Sequence, residues 1–152
     1  MAAHRRDLSF GPNTGYDLAT MRWKKLIGNI PTSGLSVVLN ASLQELVENV
    51  QSYDLLLKIT HEVIAAANQC GANLPKNIIE QRIEVFESFK KMNTSYPSMK
   101  GDFENKKLLE LHAIYENVIQ IAKQHHVSMP LTEMLYQELI YLNEKNLRCH
   151  KE

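Results

Sequence analysis

Beginning at Ser52, apolar residues recur with the period of an α-helix, so that Leu55, Leu56, Ile59, Val63, Ala66 and Ala67 share one face. Gly71 stands where a left-handed C-terminal cap belongs. Ile79, Ile83, Phe86 and Phe89 form a second stripe, with Pro75 placed to open that helix and Asn93-Thr94-Ser95-Tyr96-Pro97 to end it. Leu111, Ile114, Tyr115, Val118, Ile119 and Ala122 form a third, closing at His125-His126. Pro130 opens a last helix with Met134, Leu135, Leu139 and Leu142 inside, and the charged chain beyond Asn143 is expected to fray. Nowhere do apolar and polar residues alternate in a β-branched run, so the chain is predicted to be all-α, a multi-helix domain. The helices are too uneven, and too often interrupted by proline, for a coiled coil or a repeat.

The first third is less regular. Residues 1–15 are polar, with Gly11-Pro12-Asn13 and Gly15, and are expected to form a loose lead-in. Asp17 or Thr20 is placed to cap a helix carrying Trp23 to Ile30, which Pro31 is expected to break or kink. On that helix Lys25 and Asn29 are four residues apart and project from one face. Spacing alone makes such a pair a solvated face. If it is buried, a ligand or partner must meet both groups. Leu35, Val37, Val38 and Leu39 form a short apolar run of ambiguous period. Ser42, followed three residues later by Glu45, is a capping box that starts a short helix through Leu46 and Val47.

Charge narrows the function classes. Seventeen basic residues balance seventeen acidic ones, which argues against nucleic acid or an anionic membrane as the main partner. No apolar run reaches the length of a membrane span, and Met1 to Asp7 lack the apolar core of a secretory signal. Cys70 and Cys149 have no metal-type spacing, and the chain is expected to be cytoplasmic. There is no Gly-x-Gly-x-x-Gly, Walker loop, His-Glu-x-x-His or Cys-x-x-Cys. His125 and His126 are adjacent, so the two rings cannot ligate a metal from one helix face. A polar island remains, Tyr96-Pro97-Ser98-Met99-Lys100-Gly101-Asp102, with Glu110 eight residues further on. Ser98 and Asp102 are by default caps of the following turns. A serine at a helix start can also add its hydroxyl to free backbone N–H groups that hold an anion, which makes Ser98 a candidate for a substrate carboxylate.

Taken in order, these pieces resemble the C-terminal helical domain of the ketopantoate reductase (2-dehydropantoate 2-reductase) family. Trp23-x-Lys25-Leu26-x-x-Asn29 resembles its entry, and Ser98-Met99-x-x-Asp102 followed by Glu110 resembles its middle. His125-His126-Val127-Ser128-Met129-Pro130 and the Leu131–Leu142 stripe resemble its end. The domain so defined spans 16–145, leaving 146–152 as a charged tail. The resemblance implies reduction of a 2-oxo acid with NADPH, as in pantothenate biosynthesis. Lys25 matches the lysine that gives a proton to the carbonyl oxygen, a role suited to a cation beside a developing alkoxide. Asn29 and Ser98 match substrate-binding residues, and Glu110 matches a glutamate that positions cofactor and reacting groups. Asp102 matches a recurrent aspartate, to which a structural role is assigned.

The chain also departs from the family pattern. Ser33 stands where a second substrate asparagine is frequent, Leu43 where an asparagine opens an Asn-Gly turn, and Ser95 where one precedes the Ser-Met pair. Ser33 is retained as a substrate-binding candidate of shorter reach. The Gly-x-Gly-x-x-Gly domain that binds the cofactor's pyrophosphate in the family has no counterpart in these residues. The chain alone is therefore expected neither to hold NADPH tightly nor to turn over. Its expected partners are a separate Rossmann-type cofactor domain, a 2-oxo acid and a second copy of the chain. The alternative is a non-catalytic helical module, derived from that family and used for dimerisation or binding a partner.

Overall fold

In the computed structural model, residues 17–149 are described; the expected lead-in over 1–15 lies outside them. Helix α1 spans Leu18–Val38. The Asp17 carboxylate caps it by accepting the Thr20 N–H at 3.1 Å. The Thr20 hydroxyl accepts the Asn73 N–H at 2.9 Å, pinning a later loop to the start of α1.

The helix does not end at Pro31, as expected, but continues through it to Val38. Proline leaves the Ile27 carbonyl without its intrahelical donor, a defect costing about 3 kcal/mol in an isolated helix. Two side-chain hydrogen bonds brace the turns on either side of it, one tertiary and one within the helix. The Tyr115 hydroxyl donates to the Ile30 carbonyl at 2.7 Å, and the Thr32 hydroxyl donates to the Gly28 carbonyl at 2.8 Å. Every residue from Ile30 to Val37 is buried, so packing rather than local preference sets the conformation of this stretch.

Local signals read well where their partners are close in sequence. Helix α2, Leu43–Glu48, carries the predicted capping box: the Glu45 N–H donates to the Ser42 hydroxyl at 3.1 Å, and the Ser42 N–H to the Glu45 carboxylate at 3.0 Å. Helix α3, Val50–Gln69, ends at Cys70, and Gly71 adopts φ 86° as its cap position requires. Helix α4, Ile78–Ser88, starts later than Pro75, whose carbonyl accepts the Ile78 N–H at 3.1 Å in the turn leading in. A 3-10 turn over Phe89–Lys91 follows. Helix α5 spans Ser98–Glu104, and a π-helical turn, His112–Glu116, leads into α6, Asn117–Gln124.

Helix α7 runs from Pro130, at its first position, to Arg148. The Glu62 carboxylate of α3 accepts the Leu131 and Thr132 N–H groups at 3.1 and 2.9 Å, supplying the cap that the local sequence does not. The helix continues past Asn143, where fraying was expected, to Arg148, and the end of the charged tail, 150–152, lies outside the described residues. Asn143 and Asn146 turn inward, and the Asn146 amide donates to the Phe103 carbonyl at 2.7 Å, which holds the last turns down. Met134, expected inside, is exposed, whereas Leu135 and Leu139 are buried.

Helix α1 is the hub. It packs against α3, α7, α5 and the π turn, with Trp23, Ile27 and Ile30 fully buried. Among the described residues there is no strand, and no helix is long and apolar enough to cross a membrane.

Candidate functional site

The front half of α1 has two unlike faces. Trp23, Ile27 and Ile30 point into the core, while Lys25 and Asn29, one turn apart, are both exposed. Leu18 and Met21, seven and four residues before Lys25, share that outer face and are 63% and 56% exposed. Ser33, one turn beyond Asn29, is only 8% exposed, because the helix has by then entered the core.

The remaining candidates lie on or near two other segments that touch α1. Helix α5, headed by the exposed Ser98, packs directly against it. Ser98 is the first residue of that helix and makes no capping bond, so the default expectation of a serine cap is not met. Asp102 does not cap a turn with its side chain either; its carboxylate lies 4.0 Å from the Lys107 ammonium. Exposed Glu110 lies five residues before Tyr115. The Tyr115–Ile30 hydrogen bond fixes that segment to the turn of α1 that follows Asn29. Burial pushes the Tyr115 phenol far above its usual pKa, so at neutral pH it remains a hydrogen-bond donor.

Sequence spacing missed two basic residues. Lys100, two positions after Ser98, is 3% exposed; its ammonium lies 2.8 Å from the Glu104 carboxylate and 5.9 Å from the Phe103 ring centre. Arg82 of α4 lays its guanidinium against Gly28, between Lys25 and Asn29 in sequence. The one available signal was Gly28 itself, a small residue inside a helix where another group comes close. His125 and His126 are exposed, and the described residues contain no cluster that could hold a metal ion.

With this geometry in place, comparisons with known proteins are informative. Residues 17–142 match the family model described as the C-terminal domain of ketopantoate reductase PanE/ApbA. A 2-dehydropantoate 2-reductase of a Nostoc species is 37% identical over 130 residues, covering 86% of this chain and 40% of the relative. Among solved structures, the 2-dehydropantoate 2-reductase of Geobacter metallireducens is 30% identical with a TM-score of 0.72, covering 79% of this chain and 40% of that one. That of Methylococcus capsulatus is 25% identical with a TM-score of 0.75, covering 86% and 44%. A D-mandelate dehydrogenase solved with NADH and anilino(oxo)acetate shares the fold, with a TM-score of 0.76 at 20% identity over 88% of this chain and 44% of that one. The chain thus spans well under half the length of the proteins it matches.

Proposed function

Because the chain belongs to the ketopantoate reductase family through its C-terminal domain, we propose that it is the substrate-side half of a 2-oxo acid reductase, acting on ketopantoate or a close relative. The observation that carries this reading is a family match across residues 17–142 together with Lys25 and Asn29 exposed side by side on α1.

In this reading the exposed Lys25 ammonium meets the keto oxygen, stabilises the negative charge that develops there and delivers the proton that completes the alcohol. Solvent then reprotonates it. Asn29, one turn along, holds the substrate by hydrogen bonds. Ser98, its hydroxyl not engaged in capping α5, meets the carboxylate. Ser33 makes a shorter-range contact, and Glu110 orients the reacting groups. In the complete family enzyme the hydride comes from NADPH. The residues of this chain do not fit the cofactor's pyrophosphate, because no glycine-rich turn opens any described helix. In this reading a Rossmann-type domain supplies that half of the cleft, and the exposed Leu18 and Met21 beside Lys25 suit such a contact.

The test is to join this chain to the cofactor-binding half of the Nostoc relative and follow NADPH consumption with ketopantoate. Activity is expected, and Lys25→Ala is expected to lower kcat by about 10²–10⁴-fold. Equal activity in the variant would remove Lys25 from the chemistry. A second reading, a non-catalytic module that docks through the Leu18–Met21 face, predicts no activity in the joined protein. It also predicts loss of self-association on Met21→Glu.

A further inference from the structure

Arg82 is a cation that nothing else in the described molecule neutralises. Its guanidinium reaches α1 at Gly28, where a Cβ would stand 2.6 Å from Nη1 and 3.6 Å from Cζ; the missing side chain is what admits it. Its Nε is buried without a hydrogen-bond partner. Among the described residues no carboxylate comes within ion-pair distance of it. Desolvation pushes its pKa down, yet a guanidinium stays charged at any physiological pH. A half-buried cation without a counter-charge is unfavourable until an anion reaches its Nη groups, Nε itself having almost no accessible surface.

Its position is informative. Gly28 is three residues from Lys25 and adjacent to Asn29. Residues three apart on a helix lie about 5–6 Å from one another at Cβ, so the guanidinium borders the Lys25–Asn29 face. We propose that Arg82 is an oxyanion receptor at the edge of that face, engaging either the carboxylate of the 2-oxo acid or the ribose 2′-phosphate of the nucleotide cofactor, not its pyrophosphate. Its planar fork suits both, since two oxygens of one group can accept parallel N–H bonds. The choice between these two ligands rests on the function proposed above; the unpaired Arg82 does not.

The experiment is a titration of the whole chain followed by NMR at the Arg82 Nε–H and at the Lys25 and Asn29 amides. Inorganic phosphate, ketopantoate, adenosine 2′-phosphate and the uncharged ketopantoyl lactone serve as probes. Anions are expected to move the Arg82 signal, whereas the lactone should not. Arg82→Gln should weaken anion binding about tenfold, the worth of one charge-assisted pair. Gly28→Ala keeps the charge but pushes the guanidinium aside, and should weaken binding without lowering the melting temperature. Tighter binding of ketopantoate assigns the carboxylate as ligand, and tighter binding of adenosine 2′-phosphate assigns the cofactor. If no anion moves the Arg82 signal, or if Arg82→Gln binds as the parent does, the receptor is overturned. Should ketopantoate then still perturb Lys25 and Asn29, the proposed function stands without it. Phosphate at Arg82 with no ketopantoate response at Lys25 would keep the receptor and discard the reductase reading.

Discussion

The two halves of α1 differ in how they are enclosed. From Leu18 to Asn29 one face is packed and the other is open, carrying Leu18, Met21, Lys25 and Asn29. From Ile30 to Val37 every residue is buried, and the helix is held by Tyr115 and crossed by Leu135 at Gly34. The contrast separates holding from doing. A lysine offered to a ligand must stand in a fixed place, and on its own turns only the Trp23–Ile27 side is packed. The enclosed half anchors the helix so that the open half can present side chains with little reorganisation.

If that division is real, substitutions in the two halves should fail in different assays. Ile30→Ala should cost about 2–5 kcal/mol in a denaturant titration, as truncation of a fully buried side chain does. Lys25→Ala should leave stability within about 0.5 kcal/mol while carrying the loss of turnover given above. A large stability loss in that variant would mean that Lys25 helps to hold the fold.

Tyr115→Phe comes next. It removes a buried hydrogen bond to the Ile30 carbonyl beside Pro31 and should destabilise by about 0.5–1.5 kcal/mol, the net worth of such a bond. A neutral result would show that the proline is tolerated through packing alone.

The same phenol sets a pH dependence. In the unfolded chain a tyrosine ionises near pH 10, whereas burial holds the Tyr115 proton well above that. Below pH 10 both states are protonated and stability is unaffected. Above it the unfolded state binds fewer protons than the folded one, so stability falls by about 1.4 kcal/mol per pH unit. Tyrosinate absorbance should show Tyr115 ionising on unfolding, and Tyr115→Phe should reduce that slope to the part left by Tyr53, Tyr136 and Cys70, whose pKa values burial also raises.

The smallest effects come from two glycines of the one helix. Alanine at Gly34 would put a Cβ 2.6 Å from Leu135 Cδ2 and 2.7 Å from the Tyr115 hydroxyl, inside a packed core. The resulting overpacking, about 1–3 kcal/mol, should outweigh the gain of about 1 kcal/mol in helix preference. At Gly28 the obstacle is the far end of Arg82, which can swing away, so alanine there should stabilise by up to about 1 kcal/mol. Thermal unfolding of the two variants should therefore shift in opposite directions.

What could be read from the sequence follows from how far each signal's partner lies along the chain. The Ser42–Glu45 box, the Gly71 cap and the Pro130 start are complete within a few residues, and all three are found as spaced. Pro31 reads locally as a break or a kink, whereas the contacts that enclose α1 around it come from far along the chain, Tyr115 being 85 residues downstream of Ile30. The length of α7 was underestimated for the same reason, since Asn146 is tied to Phe103 across 43 residues. Arg82 carries no spacing signal toward Lys25, and only the fold seats it at Gly28. Lys25, Asn29 and Ser98 stand out by spacing and position, whereas Ser33, Glu110 and the roles of all five rest on family resemblance. Their joint role is a proposal that the joined-protein assay decides.

The proline inside α1 also bears on motion. With no amide hydrogen at Pro31, the run of main-chain bonds is interrupted at Ile27, between the open half and the enclosed one. Opening of the first three turns need not propagate into the turns clasped by Tyr115. Amide hydrogens ahead of the proline should therefore exchange with solvent by local breathing, while those from Thr32 to Val37 wait for global unfolding.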